Sequence, residues 1–198
     1  MGVEFELKFQ ATPEILDAVE KELTGTLQHY DMLTSYYDTR ERSLKKVKYT
    51  LRRRMENGVS VCTLKTPAEE NGRREYELQC NTIEEALEKL CKLPELPELA
   101  ALTTGGVRKV CGARFHRRAI TVTGADFTVE VALDQGVLTG GGTEIPLCEL
   151  EVELKEGSRQ SAVVYAQLLA ARYGLTPETK SKFVRATMLA EGWFCDGI

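Results

Sequence analysis

Glu4-Phe5-Glu6-Leu7-Lys8 alternates charge with apolar bulk. A strand sends successive side chains to opposite faces, so Glu4, Glu6 and Lys8 share one face and Val3, Phe5, Leu7 and Phe9 the other. The same alternation returns as Glu149-Leu150-Glu151-Val152-Glu153-Leu154. Between these segments Arg52 and Arg54, then Lys65, then Arg73, Glu75 and Glu77 again fall at strand parity. Acids and bases therefore collect on one face of several strands, and a polyanion-plus-metal site can be built that way.

Alternation alone also fits half-buried strands whose charged faces are simply wet. Sign and number argue further. Glu149, Glu151 and Glu153 stand about 7 Å apart along one strand face. In an enclosed site of effective dielectric about 20, each adjacent pair would cost roughly 2 kcal/mol. These carboxylates are thus either exposed and idle, or enclosed and held by a cation. Arg52, Arg54, Lys65 and Arg73 favour enclosure, because guanidinium forks and an ammonium suit phosphate oxygens. Carboxylates in such an interior would hold Mg2+ or Mn2+, hard ions that prefer oxygen.

The 198 residues suffice for one large domain or two small ones. With 42% hydrophobic and 28% charged residues the chain reads as soluble and globular. A net charge of −4 argues against nonspecific nucleic-acid binding. No signal peptide or run of about 18 apolar residues occurs, so a cytoplasmic protein without membrane association is expected. The six cysteines include no C-x-x-C pair and read as reduced thiols. His29 and His116, the only histidines, are too few and too scattered for a zinc cluster. Phosphate-binding loops of the G-x-x-x-x-G-K-[ST] or G-x-G-x-x-G type are missing.

The chain reads as one domain over 1–198, with two halves of similar grammar at about 1–93 and 94–198. Strands are expected at Val3–Gln10, Leu33–Asp38, Tyr49–Glu56, Val59–Lys65 and Arg73–Gln79. Asn57-Gly58 marks a two-residue hairpin. In the second half they fall near Val107–Cys111, Phe115–Thr123, Asp126–Asp134, Gly136–Thr139 and Leu147–Lys155. Thr12 and Pro13 start a first helix. A second runs from Thr82 to about Lys92 with Asn81 as cap, a third from Ser158 to Tyr173 closed by Gly174, and a last from Lys182 to Phe194. Trp193 reads as a core residue of that helix. Many short antiparallel strands with grouped helices point to an α+β fold around a curved sheet or closed barrel.

In this order the motifs resemble those of the CYTH domains, also called triphosphate tunnel metalloenzymes. Glu4-Phe5-Glu6-Leu7-Lys8 is similar to the family's E-x-E-x-K, Tyr36-Tyr37-Asp38-Thr39 to its Y-[FY]-[DE]-T, and Leu51-Arg52-Arg53-Arg54 to its L-R-x-R. Thr63-Leu64-Lys65, Arg73-Arg74-Glu75, Phe115-His116-Arg117, Ala132-Leu133-Asp134, Glu149 to Glu153 and Ser181-Lys182 continue the likeness in register. The resemblance implies an eight-stranded antiparallel β-barrel forming a tunnel, with surrounding helices, and an activity closest to bacterial inorganic triphosphatases. It implies metal binding by Glu4, Glu6, Glu149, Glu151 and Glu153, with Mg2+ or Mn2+ as cofactor. Phosphates would be held by Lys8, Arg52, Arg54, Lys65, Arg73, Arg117 and Lys182. Lys8 would contact the chain or orient water, and Glu75 would hold a neighbouring base in place. A monomer or weak homodimer acting on a small-molecule triphosphate is expected, with no nucleic-acid or membrane partner. A thiamine triphosphatase, a class IV-type adenylyl cyclase and a non-catalytic polyphosphate-binding module remain alternatives on the same scaffold.

Overall fold

The computed structural model describes residues 5–68 and 73–193. It is a mixed α+β fold built on one antiparallel sheet, in the order β5-β4-β3-β2-β6-β7-β8-β1-β9. The first half of the chain supplies β1 (Glu6–Gln10), β2 (Thr26–Asp38), β3 (Thr50–Glu56), β4 (Val59–Pro67) and β5 (Arg73–Gln79). The second supplies β6 (Arg108–Thr123), β7 (Phe127–Gly140), β8 (Thr143–Gly157) and the two-residue β9 (Thr176–Pro177). Among the described residues eight strands of five or more residues are present, matching the expected number, but β5 and β9 end the ladder, so hydrogen bonding runs along a curled sheet rather than around a closed ring. β1 pairs with β8, which carries a strand of the first half into the second.

Helices cover the outer face. α1 (Pro13–Glu22) is capped by Thr12, whose hydroxyl accepts from Ile15 N, and Pro13 occupies the first turn where its missing N–H costs nothing. With α5 (Arg159–Tyr173) it packs on the outward residues of β1, β7 and β8, burying Phe9, Leu16, Val131, Leu150 and Ala166. α3 (Ile83–Leu90) covers β3 to β5 around Leu51, Leu64 and Tyr76. Its cap is Thr82 rather than Asn81: Glu85 N donates to Thr82 Oγ1, and Glu85 reaches back to accept from Asn81 N. Two four-residue helices, α2 (Ser43–Lys46) and α4 (Leu99–Leu102), complete that side. Among the described residues no helix is long and apolar enough to cross a membrane.

α6 (Lys182–Ala190) differs, because it packs against the inner face. Ala186 and Phe183 meet Met32, Tyr36, Ala113 and Phe115, filling one end of the curl with apolar side chains. The approach is close enough that a Cβ on Gly140 would stand 2.5 Å from Ala186 O and 2.7 Å from Ala190 N. Trp193, beyond the helix, is 71% exposed and is not a core residue. Asn57 and Gly58 both take positive φ, 48° and 86°, as the β3–β4 hairpin requires.

Candidate active site

The inner face bounds a cavity of about 890 Å³. Strand parity decides what lines it. On β3, Arg52 and Arg54 turn in while Leu51 joins the core under α3. Register then aligns Thr50 with Lys65 and Glu75, and Arg52 with Thr63 and Glu77, across β3, β4 and β5. On the opposite side Glu6 faces Glu153, and Glu153 faces Glu130, one carboxylate per strand across β1, β8 and β7. Lys8, Arg73, Arg117, Glu151 and Lys182 also line the cavity. Glu4 lies outside the described residues, and Glu149 is buried beneath the lining.

The acids form two tiers. In the deeper one the ligand oxygens of Asp134, Glu149 and Glu151 lie within 4.8 Å of one another, all three residues buried. The Lys182 ammonium sits among them, 2.7 Å from Asp134 Oδ2 and 2.9 Å from Glu151 Oε1, and bonded to Glu149. Ser181 makes this possible by capping α6, which sets Lys182 at the first helical position over the inner face. Arg117 forks onto Asp134, with Nε and Nη2 each at 2.7 Å, and reaches Glu151 Oε2 at 2.5 Å. Arg185 closes the set on Glu149. Three carboxylates thus face three cations, and this tier is compensated from within.

The electrostatics follow. Burial opposes charge on Glu151, but Lys182 and Arg117 outweigh it and hold the carboxyl well below its ordinary range. Glu149 goes the other way: burial, with Glu151 adding to it, pushes its carboxyl up to about 7 despite Lys182 and Arg185. For Lys182 and Arg117 burial is again overcome, by Asp134 and Glu151, and both cations are stabilised.

The second tier, Glu6, Glu153 and Glu130, is nearer solvent. Lys8 Nζ lies 2.8 Å from Glu6, and Lys155 Nζ lies 2.8 Å from Glu153 and 3.8 Å from Glu130. Burial works against the Lys8 ammonium, yet Glu6, Glu151 and Glu149 hold it above its ordinary value. Across the cavity the balance reverses. Arg54 is lowered by burial first and then by the neighbouring charges of Arg52 and Arg117. Among the described residues, Arg52 Nε is buried with no hydrogen-bond partner. Lys65 pairs with Glu75, its register partner, and Arg73 donates to Lys48 O, Thr50 Oγ1 and Lys65 O. One wall is therefore cation-crowded and the other carboxylate-rich, a geometry that fits an anion bridged to a metal ion.

The CYTH domain model matches residues 2–187. The chain belongs to the CYTH domain family. A curated relative, an inorganic triphosphatase from Haemophilus influenzae, is 29% identical over 96% of this chain, which spans 56% of that relative's length. Among solved structures, a candidate adenylyl cyclase from Hippeastrum, described as having a dominant triphosphatase activity, aligns with a TM-score of 0.69 at 19% identity, covering 96% of both chains. A candidate adenylate cyclase from Bacillus halodurans aligns at 0.62 and 18% identity, covering 92% of this chain and 96% of its own. At these identities the structural likenesses establish the fold.

The sequence alone assigns no role to Asp134 or Arg185. Asp134 is aligned in register with Glu149 on β8 and Arg117 on β6. Its signals are the Ala132-Leu133-Asp134 likeness and its parity with Glu130 on one strand. Arg185 had none, since only the long-range packing of α6 brings it to Glu149.

Proposed function

We propose that the chain is a metal-dependent inorganic triphosphatase, hydrolysing tripolyphosphate to pyrophosphate and phosphate inside the charged cavity. The observation that carries this reading is the opposition of Arg52, Arg54, Lys65 and Arg73 to Glu6, Glu151 and Glu153 across one cavity.

The oxygen-only donor set of Glu6, Glu153 and Glu130 suits Mg2+ or Mn2+. These residues would hold the ion in place of their present partners Lys8 and Lys155, whereas the deeper, buried carboxylates are compensated by Lys182, Arg117 and Arg185. Once bound, the ion would supply charge neutralisation and polarise a phosphoryl oxygen. Phosphoryl transfer asks the protein mainly for positioning and electrostatics. Arg52 offers a buried Nε without a partner among the described residues, and an anion there would relieve the repulsion that Arg52 and Arg117 exert on Arg54. Lys65, held by Glu75, and Arg73 would extend the cradle. Lys8, paired with Glu6, is set to orient water between the two walls.

The inorganic substrate is favoured over thiamine triphosphate by one contact. Phe5, an aromatic of the lining, is already covered by the Arg159 guanidinium, 4.2 Å from the ring centroid. That face is closed to a stacking heterocycle, and of the other lining aromatics, Tyr30, Tyr36 and Phe183, the last two pack on each other with ring centroids 5.1 Å apart. Phosphate release from tripolyphosphate, thiamine triphosphate and ATP, with Mg2+, Mn2+ or EDTA, tests the reading. Tripolyphosphate is expected to turn over fastest and EDTA to abolish turnover. Preference for either organic triphosphate, or activity indifferent to EDTA, would overturn it.

A further inference from the structure

The scatter of His29 and His116 in sequence argued against a shared metal site, but the β2–β6 register brings them together. Asp31 is the register partner of His116, and His29 lies two residues along the same strand face. Tyr30, Met32 and Arg117, the alternating neighbours, line the cavity, so the histidines stand on the opposite, outer wall. There His29 Nδ1 is 3.0 Å from His116 Nε2, with ring centroids 5.3 Å apart. His116 Nδ1 is 2.9 Å from Asp31 Oδ1.

We propose that this outer wall carries a transition-metal site, separate from the cavity, in which His29 Nδ1 and His116 Nε2 bind a divalent ion of the Zn2+ type. Asp31 positions His116 in that site, and water completes the coordination. Two Zn–N bonds of about 2.0–2.1 Å at the tetrahedral angle put their nitrogens about 3.3–3.4 Å apart, so the observed pair needs only a few tenths of an ångström of opening. A carboxylate only accepts, so the proton shared with Asp31 belongs to His116 Nδ1, which leaves a lone pair on Nε2. A carboxylate–imidazole–metal line of this kind fixes ring and tautomer. His29 binds by moving its proton from Nδ1 to Nε2, with no net proton released.

The backbone under the pair is held. Asn57, in the β3–β4 hairpin, accepts from Asp31 N at 2.8 Å and donates to His29 O at 3.0 Å. The cation closest in register, Arg118, is turned away onto Asp17 and Glu20 of α1. Arg114 reaches Glu144 at 3.5 Å. An open groove of about 560 Å³ runs beside Asp31 and His116, leaving room for metal-bound water.

The chain has only these two imidazoles, so ring 1H–15N spectra report on this site alone. ZnCl2 is titrated into the full chain with Mg2+ in excess, since Mg2+ occupies oxygen sites and competes poorly for imidazole. The expected result is saturable movement of both ring spin systems to metal-coordinated positions. His29→Asn and His116→Asn should each weaken Zn2+ binding at least tenfold, and Asp31→Asn about tenfold. Ring signals that stay put under excess zinc would overturn the site without any variant. Zinc affinity unchanged in both histidine variants would do the same.

Discussion

Lys182 Nζ lies 2.7 Å from Asp134 Oδ2, in a pocket where both side chains are almost wholly buried. An internal ammonium thus stands where a cation is demanded by three converging carboxylates. Removing it leaves Asp134, Glu149 and Glu151 short of one compensating charge. Lys182→Met should destabilise the fold by about 3–5 kcal/mol, the usual effect of orphaning a buried ion pair. Urea unfolding at neutral pH measures this, and a loss below about 1 kcal/mol would mean the cluster relaxes without the lysine.

Arg52 has a buried Nε with no partner among the described residues, and its positive charge acts on the neighbouring Arg54. Arg52→Ala should therefore lower kcat/KM for tripolyphosphate by roughly 10²–10³-fold, as loss of a preorganised anion donor does. Its thermal stability should hardly change. Unaltered steady-state kinetics would return Arg52 to a structural role.

Gly140 permits the close approach of α6 to β7, a Cβ there meeting backbone atoms of Ala186 and Ala190. Gly140→Ala should cost about 1–3 kcal/mol through overpacking. It should also reduce turnover, because the displaced helix carries Lys182 and Arg185 away from Glu149. Retained activity alongside the stability loss would separate α6 placement from function.

Burial pushes the Cys62 and Cys111 thiols up to about 11. Both keep their protons in the folded chain where an unfolded thiol, near 9, begins to lose them. The folded state then binds more protons than the unfolded one, so this contribution to stability falls as pH rises from about 9 to 11. Iodoacetamide at pH 8 should leave both thiols unlabelled until denaturant is added. Labelling at free-thiol rates in the native protein would contradict their enclosure.

Strand parity made much of this site legible beforehand. Glu6, Arg52, Arg54, Lys65, Arg73, Glu75, Glu151 and Glu153 line the cavity because alternation alone fixed their face. Strand ends were less legible. Thr26–Asp31 extends β2 although most of it is exposed, so no apolar alternation marks it. Two strands are expected on either side of Gln135, yet a Cβ on Gly136 would sit 2.2 Å from Arg114 O, and the glycine serves a close approach within one continuous strand. Local pattern also said nothing of α6 folding back onto the inner face. That contact makes Lys182, expected to reach phosphate, also a partner of Asp134, Glu149 and Glu151 while it lines the cavity.

Carboxylates of β1 and β8 are proposed to hold the ion on which triphosphate hydrolysis would depend. Glu6 and Glu153 are register partners, so Glu6→Gln with Glu153→Gln alters one row of the lining. The decisive measurement is 31P NMR of tripolyphosphate with Mg2+, comparing the double variant with the parent chain and checking the fold of both by circular dichroism. Pyrophosphate and phosphate are expected in equal amounts from the parent, with at least about 10²-fold slower conversion by a folded double variant. Equal rates from the two proteins would contradict this role of the carboxylates.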